Sequence, residues 1–350
     1  MLQCFISECQ KVIDDMEAGT VKRVDGDFYS EHTIRNKRAH INNLSNFTAD
    51  AFSVLSMEMI NESLLRNFHQ HLLDRNLAKN TISGNLNTVQ FFIRRFQKEK
   101  ILKFKGELSI FPTEITTAVT LSIEELQELY RMHLPPGQKK VLDIFICQCF
   151  LGLRVSDMFR FLKQIEARTR IIDSESFFEI VTGKKGSTVV IPACYIVLII
   201  INRYGKSIQK GFSEAHYNLT IKKIVAKSRI ERDVVFWRTE GGRRIERIHS
   251  LSFLISSHTA RRTFATNGYL AGISPFDLMK ITGHKSLASF FRYMRCENIA
   301  VALKLSRHGF FKIDFEDTEN VITFNTLTQS SSIANNLAES NTHPQNLFKY

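Results

Sequence analysis

Apolar residues recur at helical spacing through most of the chain. The segment MEMINESLLRNFHQHLLDR places Met59, Ile60, Leu64, Leu65, Phe68, Leu72 and Leu73 on one stripe of period 3.6. The next segment, NLAKNTISGNLNTVQFFIRRFQKEKIL, repeats the pattern with Ile82, Leu86, Val89, Phe92, Ile93 and Phe96, and offers Asn80 or Thr81 as its N-cap. The two predict a small helical unit over residues 46–108. Before it, residues 20–46 read as partly extended and polar. After it, FKGELSIFPTEITTAVT, with Gly106 and Pro112, reads as a linker, placed at 109–120. A further helix opens after Leu121 at the box Ser122-x-x-Glu125. Residues 140–163 are apolar and helical, interrupted by LGLRVSD. FFEIVTGKKGSTVVIP has two β-runs about a Lys/Gly turn and predicts a hairpin. Helices are expected over 193–230 and 258–308. Residues 315–350, rich in Asn, Ser and Thr, read as a flexible tail. No internal repeat is visible. The pattern as a whole is mainly α with a small β-hairpin or sheet.

Charge adds a partner class to this picture. The 350 residues carry 47 Lys and Arg against 35 Asp and Glu, a net +12. The surplus is uneven: −4 over 1–34, +5 over 35–115, +14 over 116–314 and −3 over 315–350. Arg94, Arg95, Lys98, Lys100, Lys103 and Lys105 form one dense zone. Lys222, Lys223, Lys227, Arg229 and Arg232 form a second, and Arg238, Arg243, Arg244 and Arg247 a third. Each alone reads as a solvated face. Their co-occurrence without matching acidic runs suits a surface that meets phosphates. The start of the chain has no basic n-region or long apolar core, so it does not read as a secretory signal. The apolar run Ile196 to Ile201 is far short of the roughly 20 residues needed to cross a bilayer, so no membrane is expected. The six cysteines show no CxxC pair or zinc spacing; they read as reduced, metal-free and cytoplasmic. A basic cytoplasmic chain points first to nucleic acid.

Four segments gather Arg, Lys, His and Tyr with almost no carboxylate: LGLRVSD (151–157), TGKKG (182–186), HTARR (258–262), and ITGH (281–284) with Tyr293 nine residues after His284. Each has an ordinary explanation by itself. Arg154 can complement a helix dipole, Lys184 can sit exposed in a turn, His258 can cap a helix, and Tyr293 can pack in a core.

Together, in this order and at these spacings, they resemble the tyrosine recombinases, the phage integrase family, and especially integrases of mobile elements of the Bacteroidetes type. The likeness runs from about Thr48 to Arg307. It implies a SAM-like helical core-binding domain at 46–108, a mixed α/β catalytic domain at 121–314, and an arm-like segment at 1–45. It also implies a site-specific recombinase that cuts and rejoins DNA through a 3′-phosphotyrosyl link, with no cofactor, metal or ATP. Arg154 and Arg261 would clamp the scissile phosphate, since a planar guanidinium binds phosphate bidentately and stays charged. His258 would hydrogen-bond or take the nucleophile's proton, and His284 would donate to a non-bridging oxygen. Tyr293 would be the nucleophile, and Lys184 the general acid for the leaving 5′-oxygen, with Lys185 the alternative. Lys79, Asn80 and Thr81, at a helix start, and Arg94, Arg95 and Lys98 are the candidate DNA contacts.

The implied partners are double-stranded DNA at specific sites and, in the synapse, a homotetramer, with accessory DNA-bending or excision factors as further candidates. Residues 296–313 resemble the segment that family members dock into a neighbour; packing in cis stands equally open. Asp157 departs from the Glu usual in the first box, and Phe290, Phe291 and Arg292 are bulkier than usual before the tyrosine. Two other functions compete: a DNA-binding regulator with a relict site, and a type IB topoisomerase.

Overall fold

The computed structural model describes residues 4–49, 52, 54–108, 110–183, 186–209, 212–292, 294, 301–302, 305–306 and 308. The chain divides into a unit of residues 1–296 and a second of 297–350. The tail, and most of the segment considered for docking, lie outside the described residues.

The first unit begins with four helices: α1 (Phe5–Glu17), α2 (Glu31–Ala49), α3 (Glu62–Asp74) and α4 (Lys79–Lys98). They close one core through Phe5, Ile13, Met16, Ile41, Leu44, Phe68, Leu72, Leu86, Phe92 and Phe96. Two expectations need correction. Residues 31–49 are helical, not extended. The α2 stripe is sparse (Ile34, Ile41, Leu44, Thr48), because part of its inner face is polar and bonded to α4: His40 Nδ1 with Thr88 Oγ1 at 2.8 Å, and Asn43 Nδ2 to Asn85 Oδ1 at 2.9 Å. The residue-45 boundary therefore falls inside a single hydrophobic core. The second correction is the N-cap of α4, which is Ala78 and not Asn80 or Thr81. Asn80 is turned to the linker instead, where its side chain donates to Glu114 O and accepts from Glu114 N–H.

Between Ile101 and Ser122 the described residues form neither helix nor strand. Leu102 and Phe104 enter the first core, whereas Val119 and Leu121 enter the second.

The second half follows as α5 (Ile123–Arg131), α6 (Pro136–Leu151), α7 (Val155–Leu162), α8 (Ile165–Arg168), β1 (Thr169–Ile172), β2 (Glu175–Val181), β3 (Thr188–Pro192), α9 (Tyr195–Tyr204), α10 (Glu214–Val225), β4 (Asp233–Glu240), β5 (Arg243–Ser250), α11 (Leu251–Leu254), α12 (Ser257–Leu270), α13 (Pro275–Thr282) and α14 (Leu287–Phe291). The Ser122 box caps α5 as expected: Glu125 N–H donates to Ser122 Oγ, and Ser122 N–H to Glu125 Oε2. Helix α6 is buried from Val141 through Cys149 and at Leu151 and is mostly apolar, because it is the centre of the second core; its buried Asp143 and Gln148 are bonded to Arg203, Tyr204 and Tyr217.

The predicted hairpin is β2–β3, with Phe178 opposite Ile191 and Ile180 opposite Val189; β1 adds a third antiparallel strand. Strands β4 and β5, by contrast, were not expected. They form a second hairpin over Gly241-Gly242, both at positive φ (+54° and +79°) as a two-residue reverse turn requires. Its tip bridges to the first half, Ala78 pairing with Glu240 and Gly241 N–H donating to Leu77 O at 3.1 Å. Among the described residues no helix is long and apolar enough to cross a membrane.

Candidate active site

Arg154 owes its place to a three-residue reversal between α6 and α7. Helix α6 ends at Gly152, which is left-handed (φ +64°), and Arg154 is the N-cap of α7. A Cβ at Gly152 would collide with the ring of Phe264 on α12, so that position needs glycine twice over. The tight turn also points the Gly152 carbonyl inward, and Arg261 Nη1 donates to it at 2.7 Å. Arg261, near the start of α12, is only 2 % exposed and heads the largest fully buried side chains. A buried guanidinium must be ringed by acceptors. Its Nη2 donates to Thr282 O and approaches His284 Nε2 at 3.4 Å.

His284 follows Gly283, the left-handed C-cap of α13 (φ +66°). Thr282 Oγ1 spends its proton on Leu278 O at 2.6 Å, so at 2.7 Å it accepts from His284 Nδ1. The network thus assigns the imidazole proton to Nδ1 and leaves Nε2 as an acceptor facing Arg261. Burial, then the charges of Arg261 and Arg154, lower the His284 pKa to about 3. His258, in the first turn of α12, is lowered too, first by desolvation and then by Arg262, while Glu214 opposes the shift. Arg154 acts on both histidines. The structure therefore brings Arg154, His258, Arg261 and His284 together from the ends of α6, α12 and α13. Lys184, Lys185 and Tyr293 lie outside the described residues.

Three contributors carried no sequence expectation as site residues. Thr282 orients His284, and the only signal for it was a hydroxyl two residues before the histidine. Gly152 supplies a carbonyl to Arg261. Arg160 joins Asp157, which is 2 % exposed and lies 3.8 Å from Arg154 Nη1.

The candidate DNA contacts are scattered over α4. Lys79 is half-buried in its first turn, Thr81 and Lys98 are exposed, and Asn80 holds the linker as described. Arg94 Nη2 donates to Leu108 O at 2.6 Å, and Arg95 Nε pairs with Glu99 Oε1 at 2.9 Å.

A model of the phage integrase SAM-like domain matches residues 5–109, across both the expected arm-like segment and the helical unit. No curated protein matches the chain. Among solved structures, a XerH site-specific recombinase bound to palindromic difH substrate in a post-cleavage complex superposes with TM-score 0.58 at 15 % identity, over 86 % of this chain and 84 % of the other. A Tn1549 transposon integrase with circular intermediate DNA gives 0.57 at 15 %, over 87 % and 100 %. A lambda integrase dimer on a core site gives 0.56 at 13 %, over 90 % and 99 %. At these identities the likeness is one of architecture: the chain has the core-binding and catalytic fold of the tyrosine recombinases, with a phage integrase SAM-like domain over residues 5–109.

Proposed function

We propose that the chain is a tyrosine-type site-specific DNA recombinase, an integrase, which cuts and rejoins duplex DNA through a 3′-phosphotyrosyl intermediate without metal or ATP. The observation that carries this is the meeting of Arg154, Arg261 and His284 in a recombinase fold, with the His284 ring 3.4 Å from the Arg261 guanidinium.

The chemistry follows from charge. A phosphodiester becoming pentavalent gathers negative charge on its non-bridging oxygens, and fixed cations stabilise that charge most where water is excluded. Arg154 and Arg261 take this role, with Arg261 held in place by two backbone carbonyls. Without phosphate, His284 is neutral and accepts at Nε2. An incoming phosphate raises its pKa, so the ring takes up a proton and donates from Nε2 to an oxygen. The Tyr293 oxygen attacks phosphorus as the bond to the 5′-oxygen breaks, His258 receives the phenol proton, and Lys184 protonates the leaving oxygen. A 5′-hydroxyl from another strand then reverses these steps, and because the phosphotyrosyl bond conserves the energy no nucleotide is consumed. The partners are double-stranded DNA, three further copies of the chain in a synapse, and accessory DNA-bending or excision factors, in the cytoplasm.

The test is a nicked suicide duplex spanning the junctions of the DNA element that carries the gene. Wild type should form a covalent adduct in EDTA, and Tyr293→Phe none. An adduct that survives Tyr293→Phe overturns the nucleophile, and strict magnesium dependence overturns the mechanism. No adduct favours a relict site; relaxation of any supercoiled plasmid without joint molecules favours a topoisomerase.

A further inference from the structure

Asp157 and Arg160 lie one turn apart on α7, and together they grip the end of β2. Arg160 Nη1 donates to Val181 O at 3.1 Å, and its Nη2 donates to Asp157 Oδ1 at 3.0 Å. The same Oδ1 accepts from the Gly183 N–H at 2.8 Å. Asp157 Oδ2 faces Arg154 Nη1. One buried carboxylate thus holds the phosphate-clamping arginine with one oxygen and the exit of β2 with the other. Arg160 completes the grip by taking the last carbonyl of that strand. Gly183 has no positive φ to explain it, but a Cβ there would drive into the Arg160 guanidinium. The glycine is therefore fitted to the arginine. Gly183 is also the residue bonded directly to Lys184.

We infer that Arg160 is a positioning residue for the leaving-group step: with Asp157 it fixes the Val181–Gly183 backbone that carries Lys184, and ties it to Arg154. This rests on the recombinase assignment above. A bidentate guanidinium suits the task, because it can bond a carboxylate and a carbonyl at once in fixed geometry, whereas a lysine offers a single point of attachment. Arg160 is itself exposed, so it can be changed without opening a core.

The step that Arg160 serves can be isolated chemically. In cleavage the Tyr293 oxygen bonds to phosphorus, the P–O5′ bond breaks, and the Lys184 proton goes to O5′. With sulfur in place of the bridging 5′-oxygen, the group leaves as a stable thiolate and needs no proton. The experiment compares nicked duplexes spanning the element's junctions, made with a 5′-oxygen or a 5′-bridging sulfur at the scissile position. Arg160→Gln should slow adduct formation on the oxygen substrate by about tenfold or more, since general acid catalysis contributes 100-fold or more, and should cleave the sulfur substrate at close to the wild-type rate. Affinity for the uncleaved duplex should not change. Gly183→Ala should show the same selective defect, and Arg160→Lys a partial one. Wild-type rates on the oxygen substrate, equal losses on both substrates, or a loss of affinity would overturn the inference, the last two by assigning Arg160 to the phosphate clamp or to DNA contact. A wild type that forms no adduct on either duplex overturns the recombinase assignment itself, and the inference with it.

Discussion

His284 shows how few neighbours are needed to set a proton count. Thr282 fixes its tautomer from one side, while burial first, and then the charges of Arg261 and Arg154, disfavour a second proton. In the unfolded chain the same ring protonates near pH 6.5. Between pH 6.5 and about 3 the unfolded state therefore binds the extra proton and the native state does not, so stability falls as pH falls through that window. Removing the ring should remove the effect: His284→Gln should lose less stability than wild type between pH 7 and pH 5, read from urea midpoints at the two values. A larger loss in the variant would contradict the assignment of a depressed pKa. The charged members of this cluster were visible in the sequence, because Arg and His stand out by type and spacing in LGLRVSD, HTARR and TGH. Their supports were not. The carbonyls of Gly152 and Thr282 belong to every residue alike, and only the turn that aims them makes them ligands of Arg261.

The elements divide by how their partners are distributed. Helices α3 and α4 bury broad apolar stripes and were legible from period, and α6 from its continuous apolar run. Helix α2 and the β4–β5 hairpin were missed because much of their pairing is polar. In the hairpin, Glu240 is bound by Arg238 and by Arg247, and Arg244 lies over the Trp237 ring at 4.4 Å. Arg238, Arg244 and Arg247, read in sequence as part of a basic zone that is either solvated or meets phosphates, are thus cross-strand and in-strand partners on a ribbon with little apolar alternation. The Gly-Gly pair was the surviving signal, and its two members are unequal. A Cβ at Gly241 would lie 2.6 Å from Asn76 Oδ1 and 3.1 Å from Leu73 O, whereas at Gly242 the nearest atom is a flexible Leu73 methyl at 3.4 Å. Both substitutions carry the left-handed cost of about 1–2 kcal/mol. Only Gly241→Ala also forces the hairpin tip away from the α3–α4 turn. It should therefore lower the thermal midpoint more than Gly242→Ala. Equal shifts would mean that the tip contact contributes nothing to stability.

At the scale of the whole first unit, two hydrophobic cores are joined by a stretch that looks like a slack linker in sequence yet is bonded along its length. Asn87 exchanges two hydrogen bonds with the Phe111 backbone, each 3.0 Å, and Ser83 Oγ donates to Pro112 O at 2.9 Å. Beyond them Glu114 turns to the other half, its carboxylate accepting from Thr239 N–H at 2.8 Å and Thr239 Oγ1 at 2.7 Å. Gly and Pro punctuation correctly marked an irregular segment, but polar side chains on α4 decide that it is held, and their reach cannot be read from order along the chain. Glu114 is thus bonded to both halves, through its backbone to Asn80 and through its side chain to β4. Removing that carboxylate leaves two Thr239 donors without their partner, a cost of about 1–3 kcal/mol that falls on local opening of the joint, because neither core is touched. Ile110 and Ile115 are exposed, so their side chains suit thermolysin while the bonded backbone resists it. Glu114→Ala should therefore be cut between residues 105 and 118 about tenfold faster than wild type, giving two stable fragments. If both proteins are cut there at the same rate, the Glu114 carboxylate does not hold the joint, and its α4 contacts and the Trp237–Thr117 bond do. If the variant is instead degraded throughout, Glu114 stabilises the cores themselves, and the two halves do not open independently at this joint.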